Sequence, residues 1–190
     1  MTENPYTALG QRICDDLSND TESTRQTLKE YAESFEQVDR CQPLVLGDTI
    51  TLAELIGMMF CLLVKSEYHR QFTLDFYMNR EILPALDYQQ FKIYLNDANH
   101  PKAFVTWAWL SDSVLAHAHK TGAALNPDVW QSGKNLFFND WVAPYGDVRV
   151  LIKDLTDNIF PDEVATSVRH DQNRKLTKVC KWYGKNRKKH

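Results

Sequence analysis

The chain has 190 residues, of which 43% are hydrophobic, 12% aromatic and 25% charged, and its formal net charge is −3. This length and apolar content are enough for a sizeable core, so they exclude wholesale disorder and favour one compact domain. The cysteines form no CxxC pair, which disfavours a disulfide framework and a zinc site; they are Cys14, Cys41, Cys61 and Cys180.

No segment of the sequence predicts export or membrane insertion. The first residues lack the basic start and apolar stretch of a secretory signal. The most hydrophobic run, Leu55–Val64, is far shorter than the roughly 20 residues of a membrane-spanning helix. We therefore expect a cytoplasmic protein without a membrane span.

Charge is distributed unevenly along the chain. Residues 1–48 contain 4 Lys and Arg against 10 Asp and Glu, and residues 172–190 contain 8 Lys and Arg and no acidic residue. We expect an acidic helical extension over 1–48, a main domain over 49–184 and a solvated basic tail over 185–190. A basic end is also the feature that would attract an acidic partner.

Two helices are predicted first. Residues 22–39 have apolar side chains at helical spacing and an acidic outer face. A second helix begins with the capping-box pattern Thr51-x-x-Glu54 and continues through residues 55–64, which are apolar on nearly every side. Such a helix is expected to lie in the core.

The middle of the chain has the period of two that is typical of strands. Residues 90–97 and 103–111 predict a β-hairpin with Asn, Pro and Lys at its tip. Residues 111–122 predict a short helix that Gly122 stops, and residues 135–144 predict a further strand.

The last elements are a helix and a second hairpin. Asp147 can cap a helix whose inward residues would be Val150, Leu151, Leu155 and Ile159. Residues 163–170 and 175–183 predict a strand pair. The order of elements indicates an α+β fold with a mainly antiparallel sheet flanked by helices and preceded by extra N-terminal helices.

Two residues stand out as candidates for chemistry. Asp140 interrupts an apolar strand, where an unpaired carboxylate is costly to bury. His69 follows the apolar helix directly, and imidazole is the usual general base near neutral pH. A carboxylate that orients a histidine would explain both positions. Alternatively, Asp140 bonds backbone amides and His69 only interacts with the end of the helix.

Other candidates are weaker. His117 and His119 are two residues apart, so on a helix they diverge and disfavour a metal site. Cys61 is expected to be an inert core residue. Trp107 and Trp109 are expected to pack in the core rather than to line an acyl tunnel.

Five motifs in order resemble one known family, the RTX toxin-activating lysine acyltransferases of the haemolysin-activator type. The resemblance covers about residues 52–184. Its motifs are Gly57 within the apolar helix, Ser66-x-x-His69-Arg70, FVTWAWLS, FFNDWVAPYGD and FPDEVATSVRHD.

The resemblance implies a GNAT-like acyltransferase fold for residues 49–184 and a cytosolic enzyme that moves a fatty acyl group from acyl carrier protein to internal lysines of a protoxin. It implies that His69 and Asp140 are the catalytic pair, supported by Ser66 and Arg70. Acyl carrier protein and an RTX protoxin would be partners, a homodimer is conceivable, and no bound cofactor or metal is expected. The sequence also lacks the Gly-rich pyrophosphate loop of coenzyme A users.

Several points stay open at this stage. A lysine amine, with a pKa near 10.4, must lose a proton before it attacks a thioester. His69 could take that proton or carry the acyl group itself. Acidic acyl carrier protein could approach the basic residues Arg174, Lys175, Lys178 and Lys181. The chain also has about 50 residues before the family-like region, so its target could be another protein or peptide, such as a bacteriocin precursor. A non-catalytic module that binds nucleic acid through the basic tail is the remaining alternative.

Overall fold

The computed structural model describes residues 42–43 and 50–187, which belong to one compact unit, Arg40–His190. The amphipathic helix expected at 22–39 lies outside the described residues, as does nearly all of the acidic extension. The domain boundaries drawn after residues 48 and 184 stay predictions.

The strands of the described residues form one sheet whose order follows the chain. Neighbouring strands are antiparallel except β4 and β5, which run parallel and pair at Phe137 and Thr166. The strands are β1 Gln42–Pro43, β2 Phe91–Leu95, β3 Pro101–Leu110, β4 Asn135–Val142, β5 Val164–His170 and β6 Leu176–Tyr183. The predicted α+β class with a mainly antiparallel sheet is confirmed, and the open sheet flanked by helices is compatible with a GNAT-like fold.

Helices lie between these strands. The elements are α1 Leu52–Lys65, a 3₁₀ turn at His69–Gln71, α2 Leu74–Tyr77, a π turn at Met78–Ile82, α3 Leu83–Asp87, α4 Asp112–Thr121, a 3₁₀ turn at Pro127–Val129, α5 Val148–Asp154 and a second π turn at Leu155–Ile159. Both predicted hairpins are present, as β2–β3 and β5–β6, but Pro101 and Lys102 begin β3 and do not lie at the tip of the first hairpin, which is formed by residues 96–100. Gly122 ends α4 with a φ of 63°, as expected of a glycine that stops a helix.

Side chains alternate between two faces of the sheet, and each face has its own apolar cluster. The α5 face holds Tyr94, Val105, Trp107, Leu136, Phe138, Leu151 and Leu155. The α4 face holds Ala85, Ala108, Leu110, Ala118, Trp130 and Phe137. The helices therefore cover both sides of β3 and β4.

Helix α1 begins as its sequence predicts. The Thr51 hydroxyl accepts a hydrogen bond from the Glu54 amide, and the Glu54 carboxylate accepts one from the Thr51 amide at 2.7 Å, which completes the capping box. The expectation that the whole helix lies in the core is wrong. Met58, Met59, Leu62 and Leu63 are buried, whereas Leu52, Phe60 and Val64 are exposed. A helix that packs on one side can bury only one stripe, whatever the composition of the other.

Helix α5 differs from its prediction in two ways. Asp147 precedes the helix but its side chain makes no capping hydrogen bond, and its carboxylate instead lies 3.6 Å from Lys102 Nζ. Leu151 and Leu155 are buried as expected, but Val150 and Ile159 are exposed. Ile159 lies in the π turn, whose wider spacing breaks the 3.6-residue period on which its inward position was predicted.

The first residues of the predicted basic tail are hydrogen-bonded to the domain. The Lys185 amide donates to the Thr156 carbonyl at 3.0 Å, and the Asn186 amide donates to the Pro161 carbonyl at 2.9 Å. Residues 188–190 lie outside the described part of the chain.

Candidate active site

A β-bulge explains the acidic residue within apolar strand β4. Thr106 of β3 pairs with Asp140 and Trp107 pairs with Phe138, so Asn139 is an extra residue without a partner. The extra residue shifts the alternation by one position, and the rings of Phe138 and Trp141 therefore meet on the α5 face, 5.1 Å apart. Asp140 is turned to the α4 face, away from that apolar cluster.

His69 is positioned by the end of helix α1. The Ser66 amide closes the helix by donating to the Leu62 and Leu63 carbonyls, each at 3.1 Å. The chain then makes a tight turn, in which the Arg70 amide donates to the Ser66 carbonyl at 3.1 Å. This turn brings Ser66 Oγ to 2.6 Å from His69 Nδ1.

The structure brings His69 and Asp140 together although 71 positions separate them. His69 Nε2 lies 3.0 Å from Asp140 Oδ1 and 3.1 Å from Oδ2. The Trp141 amide donates to Asp140 Oδ1 at 2.7 Å, and the Tyr77 hydroxyl donates to Oδ2. Both carboxylate oxygens therefore have hydrogen-bond partners, as a charge inside a protein requires. The convergence expected from the sequence is present; the catalytic role of the pair stays a prediction.

Each member of the pair changes the pKa of the other. Burial opposes the charged imidazole, but the neighbouring Asp140 carboxylate outweighs burial and raises the pKa of His69 above its usual value. Burial would raise the pKa of Asp140, but His69 and the hydrogen bonds from His69, Tyr77 and the Trp141 amide lower it. Both shifts favour an imidazolium beside a carboxylate.

The hydrogen bonds also define the neutral tautomer of His69. An ionised carboxylate only accepts, so Nε2 must carry the proton that it shares with Asp140. Nδ1 then accepts from the Ser66 hydroxyl. It is therefore Nδ1, through Ser66, that can take up a further proton.

The sequence did not indicate three residues of this site, namely Tyr77, Glu81 and Asn139. Glu81 lies in the π turn, is only 8% exposed, and accepts a hydrogen bond from the Asn139 side chain. Burial and the nearby negative charge of Asp140 raise the pKa of Glu81 to about 7. The only signal available was the spacing of Tyr77 and Glu81, which are four residues apart and so share a helix face.

A cavity of about 310 Å³ opens beside this group. The carboxyl groups of Glu81 and Asp140 line it together with an aromatic wall of Tyr68, Phe72, Phe76 and Tyr77. Arg174 lies at the cavity too, with its guanidinium carbon 5.6 Å from the centre of the Phe72 ring. The Asp140 side chain is 21% exposed and that of His69 is 5% exposed, so Asp140 is the more accessible member of the pair.

Arg70, expected as a supporting residue, does not join this group. Its side chain is exposed and approaches the Glu67 carboxylate at 4.0 Å. A role in substrate binding stays a prediction.

The weaker candidates, two histidines and two tryptophans, lie outside the group formed by His69 and Asp140. His119 contacts the Thr166 hydroxyl at 3.0 Å and His117 is exposed. The rings of Trp107 and Trp109 lie on the α5 face of the sheet, where both pack against Phe160, and Asp140 lies on the opposite face.

The described residues contain neither a metal-binding cluster nor a membrane-spanning helix. No group of three or more His, Cys, Asp and Glu within residues 50–187 is arranged to hold a metal ion. In the same part of the chain, no helix combines the length and the apolar character needed to cross a bilayer.

Comparisons with known proteins agree with the motifs. The family model of the HlyC type, described as the RTX toxin acyltransferase family, matches residues 48–183. The chain is 32% identical over 131 residues to the RTX-I toxin-activating lysine-acyltransferase ApxIC of Actinobacillus pleuropneumoniae, which covers 69% of this chain and 74% of that protein. It is 30% identical over 138 residues to the protein-lysine myristoyltransferase HlyC of Escherichia coli, a match that covers 72% of this chain and 77% of that protein. It is 29% identical over 131 residues to the protein-lysine myristoyltransferase RtxC of Kingella kingae, a match that covers 69% of this chain and 77% of that protein. The matched region spans strands β2 to β6, both residues of the His69–Asp140 pair and the cavity beside them, and this chain belongs to the RTX toxin acyltransferase family.

Proposed function

We propose that this protein is a cytoplasmic protein-lysine fatty acyltransferase that activates an RTX-type protoxin. It transfers an acyl chain from acyl carrier protein to internal lysine ε-amines, with His69 and Asp140 as the catalytic pair. The observation that carries the proposal is the hydrogen-bonded pair of His69 and Asp140 beside an aromatic cavity. The names of the relatives, which are lysine acyltransferases and myristoyltransferases, support the reaction type.

The cavity suits a lysine side chain. Aromatic rings attract an ammonium group through their negative faces, and carboxylates attract it through charge. Tyr68, Phe72 and Phe76 offer the first kind of contact, and Asp140 and Glu81 offer the second. An acyl chain could occupy the apolar part of the same wall.

His69 has the properties of a proton acceptor for this reaction. The Asp140 carboxylate raises the pKa of His69 above its usual value of 6.5, which makes the imidazole a stronger base. Asp140 holds the Nε2–H tautomer, so Nδ1 receives the proton of the attacking amine by way of the Ser66 hydroxyl. The imidazolium that forms is stabilised by Asp140 and can return the proton to the departing thiolate.

Positive charge near the cavity favours an acidic protein, such as acyl carrier protein, as the acyl donor. Arg174, Lys175, Lys178 and Lys181 are all exposed on or beside β6. Charge attraction of this kind weakens with salt, so donor binding should weaken as ionic strength rises. If affinity for the donor did not change with salt, a basic docking surface would be refuted.

Intact-mass measurement tests the proposed function. A protoxin incubated with this protein and acyl-loaded carrier protein should gain the mass of the acyl group on lysine. His69→Ala and Asp140→Ala should reduce this gain to a small fraction. His117→Ala is the matched control, because that imidazole is exposed and makes no contact with the pair. If both site variants worked at the wild-type rate, the assignment would fail.

A further inference from the structure

Glu81 is a second buried carboxyl group in the site, and the pair of His69 and Asp140 does not account for it. The π turn at Met78–Ile82 places it, with the Leu83 amide reaching back five residues to the Met78 carbonyl. Tyr77 and Glu81 then contact consecutive residues of the bulge: the Tyr77 hydroxyl binds Asp140 and the Glu81 carboxylate binds Asn139. An inserted helix residue and an inserted strand residue therefore meet at one place. Such local insertions often occur at functional sites.

The reaction needs two proton acceptors on the side of the amine. A lysine ε-ammonium carries three protons, and the amide nitrogen of the product carries one. One of the two lost protons goes to the thiolate of the carrier, and the other must leave the site. His69 can shuttle only the proton that returns to the thiolate, because it must be neutral when the amine attacks.

We propose that Glu81 accepts the first proton, the one that converts the bound lysine ε-ammonium into the free amine, and passes it to solvent. This inference rests on the proposed function. The ammonium binds in the cavity between the aromatic wall and the two carboxylates, and one N–H bond breaks as a Glu81 Oε–H bond forms. The nitrogen lone pair then attacks the thioester carbon, so that a C–N bond forms and the C–S bond breaks. The second proton passes through Ser66 to His69 and on to the thiolate.

Asp140 is unsuited to this first step. It already accepts hydrogen bonds from His69, Tyr77 and the Trp141 amide, and these lower its pKa, so it is a weak base. Glu81 accepts from the side chain of Asn139, lines the cavity and is a stronger base, since burial and Asp140 raise its pKa to about 7. A base with a pKa near the working pH is the most effective in proton transfer.

Other groups near Glu81 influence its titration in known directions. Asp140 raises the pKa of Glu81, whereas the Asn139 hydrogen bond, His69 and Arg80 lower it. The hydroxyl groups of Tyr68 and Tyr77 stay protonated near neutral pH, because burial raises the pKa of each above its usual value. Glu81, whose pKa is raised to about 7, is therefore the carboxyl group of this cluster that titrates near neutrality.

The test is the dependence of kcat/KM on pH for Glu81→Gln, measured with a lysine peptide and acyl-loaded carrier protein. Gln retains an oxygen that can accept from Asn139, so the variant removes the charge and keeps the shape. We expect a rate about 10²- to 10³-fold lower than wild type at pH 7. The variant must then draw on free amine from solution, so its rate should rise about tenfold per pH unit toward the lysine pKa near 10.4. The gap to wild type should close as pH rises.

Asp87→Asn is the matched control, since it removes an exposed carboxylate six residues further along the same helical stretch. It should follow the wild-type profile. A Glu81→Gln rate within threefold of wild type at pH 7, or a loss by the same factor at every pH, would overturn the role of Glu81, because a purely structural residue gives a uniform loss.

A measurement on the wild-type protein covers the case in which the variant does not fold. Carbon-13 NMR of the glutamate carboxyl groups should show Glu81 titrating near pH 7, and titration near the ordinary value of 4.5 would overturn the inference. Failure of the wild type to acylate any protoxin lysine would refute the proposed function. Normal acylation with an unchanged Glu81→Gln profile would refute only the inference about Glu81.

Discussion

Asp140→Asn gives the sharpest test of how the site is held together. Asparagine keeps an oxygen that can accept from the Trp141 amide, but it carries no charge and presents an NH₂ group to His69 Nε2. We expect His69 Nε2 to accept from this NH₂ group, which moves the imidazole proton to Nδ1, where it points at Ser66 Oγ. The substitution thus reverses the tautomer of His69 with little change of volume.

Three effects should follow, each with its own magnitude. Without the carboxylate, burial dominates, and the pKa of His69 should fall from above 6.5 to below it. Nδ1 can no longer accept a proton, so we expect kcat to fall by about 10³- to 10⁴-fold. The loss of a charge-assisted hydrogen bond should lower the free energy of unfolding by about 1.5–3 kcal/mol.

The stability difference between wild type and Asp140→Asn should depend on pH. The raised pKa of His69 stabilises the fold below about pH 6.5 and ceases to do so as pH rises through its folded value. The lowered pKa of Asp140 stabilises the fold above about pH 3.9 and ceases to do so as pH falls through its folded value. The difference should therefore be largest between about pH 4 and 6.5 and smaller at pH 9.

Nitrogen-15 NMR of the imidazole, urea unfolding at several pH values and the acylation assay would measure these effects. Asp154→Asn is the control, because that carboxylate binds Lys92 Nζ at 2.6 Å and the Tyr94 hydroxyl at 2.8 Å, away from the site. It should lose stability and keep its activity. An unchanged His69 tautomer together with activity within tenfold of wild type would refute this account of the pair.

Two further predictions concern single contacts. Tyr77→Phe removes the hydroxyl that donates to Asp140, so urea unfolding should show a loss of about 1.5–3 kcal/mol and the acylation rate should fall; an unchanged midpoint would mean that this hydrogen bond contributes nothing. Gly184→Ala would place a Cβ 2.3 Å from the carbonyl oxygen of Pro161, so it should destabilise the protein by more than about 2 kcal/mol. In Gly57→Ala the new Cβ would meet nothing within 4 Å, and alanine is favoured over glycine inside a helix, so this variant should stabilise the protein by about 0.5–1 kcal/mol. Thermal unfolding of the two glycine variants would measure both effects, and equal shifts of Tm in the two variants would contradict this reasoning.

Local signals in the sequence predicted most of the elements. The Thr51 capping box, the two hairpins and the Gly122 stop each depend on residues only a few positions apart, so one sequence is enough to recognise them. Asp140 could be noticed because a carboxylate conflicts with an apolar strand. His69 could be noticed because an imidazole directly follows the apolar helix. That the two residues meet could not be worked out from the sequence, since nothing local connects positions 71 residues apart, and their assignment as a pair came from the family motifs.

The features that the sequence did not predict arise from contacts between elements. The bulge at Asn139 exists only in the pairing of β3 with β4, and the parallel pairing of β4 with β5 depends on the crossover through α5. The helical stretch from Leu74 to Asp87 contains a π turn and Pro84, both of which disturb the 3.6-residue period that identifies helices. Glu81 was missed for the same reason, because its position in the site depends on that turn.

The bulge in β4 means that this site is specified by the number of residues as much as by their identity. Phe138 and Asp140 are two positions apart, so a regular strand would direct both to the apolar α5 face, and the extra residue Asn139 is what turns Asp140 to the opposite face. A strand without this bulge could carry every acidic, basic and aromatic side chain discussed above, and the Asp140 carboxylate would still face away from His69. Anyone grafting the site onto another sheet would have to carry over the irregular backbone together with the side chains.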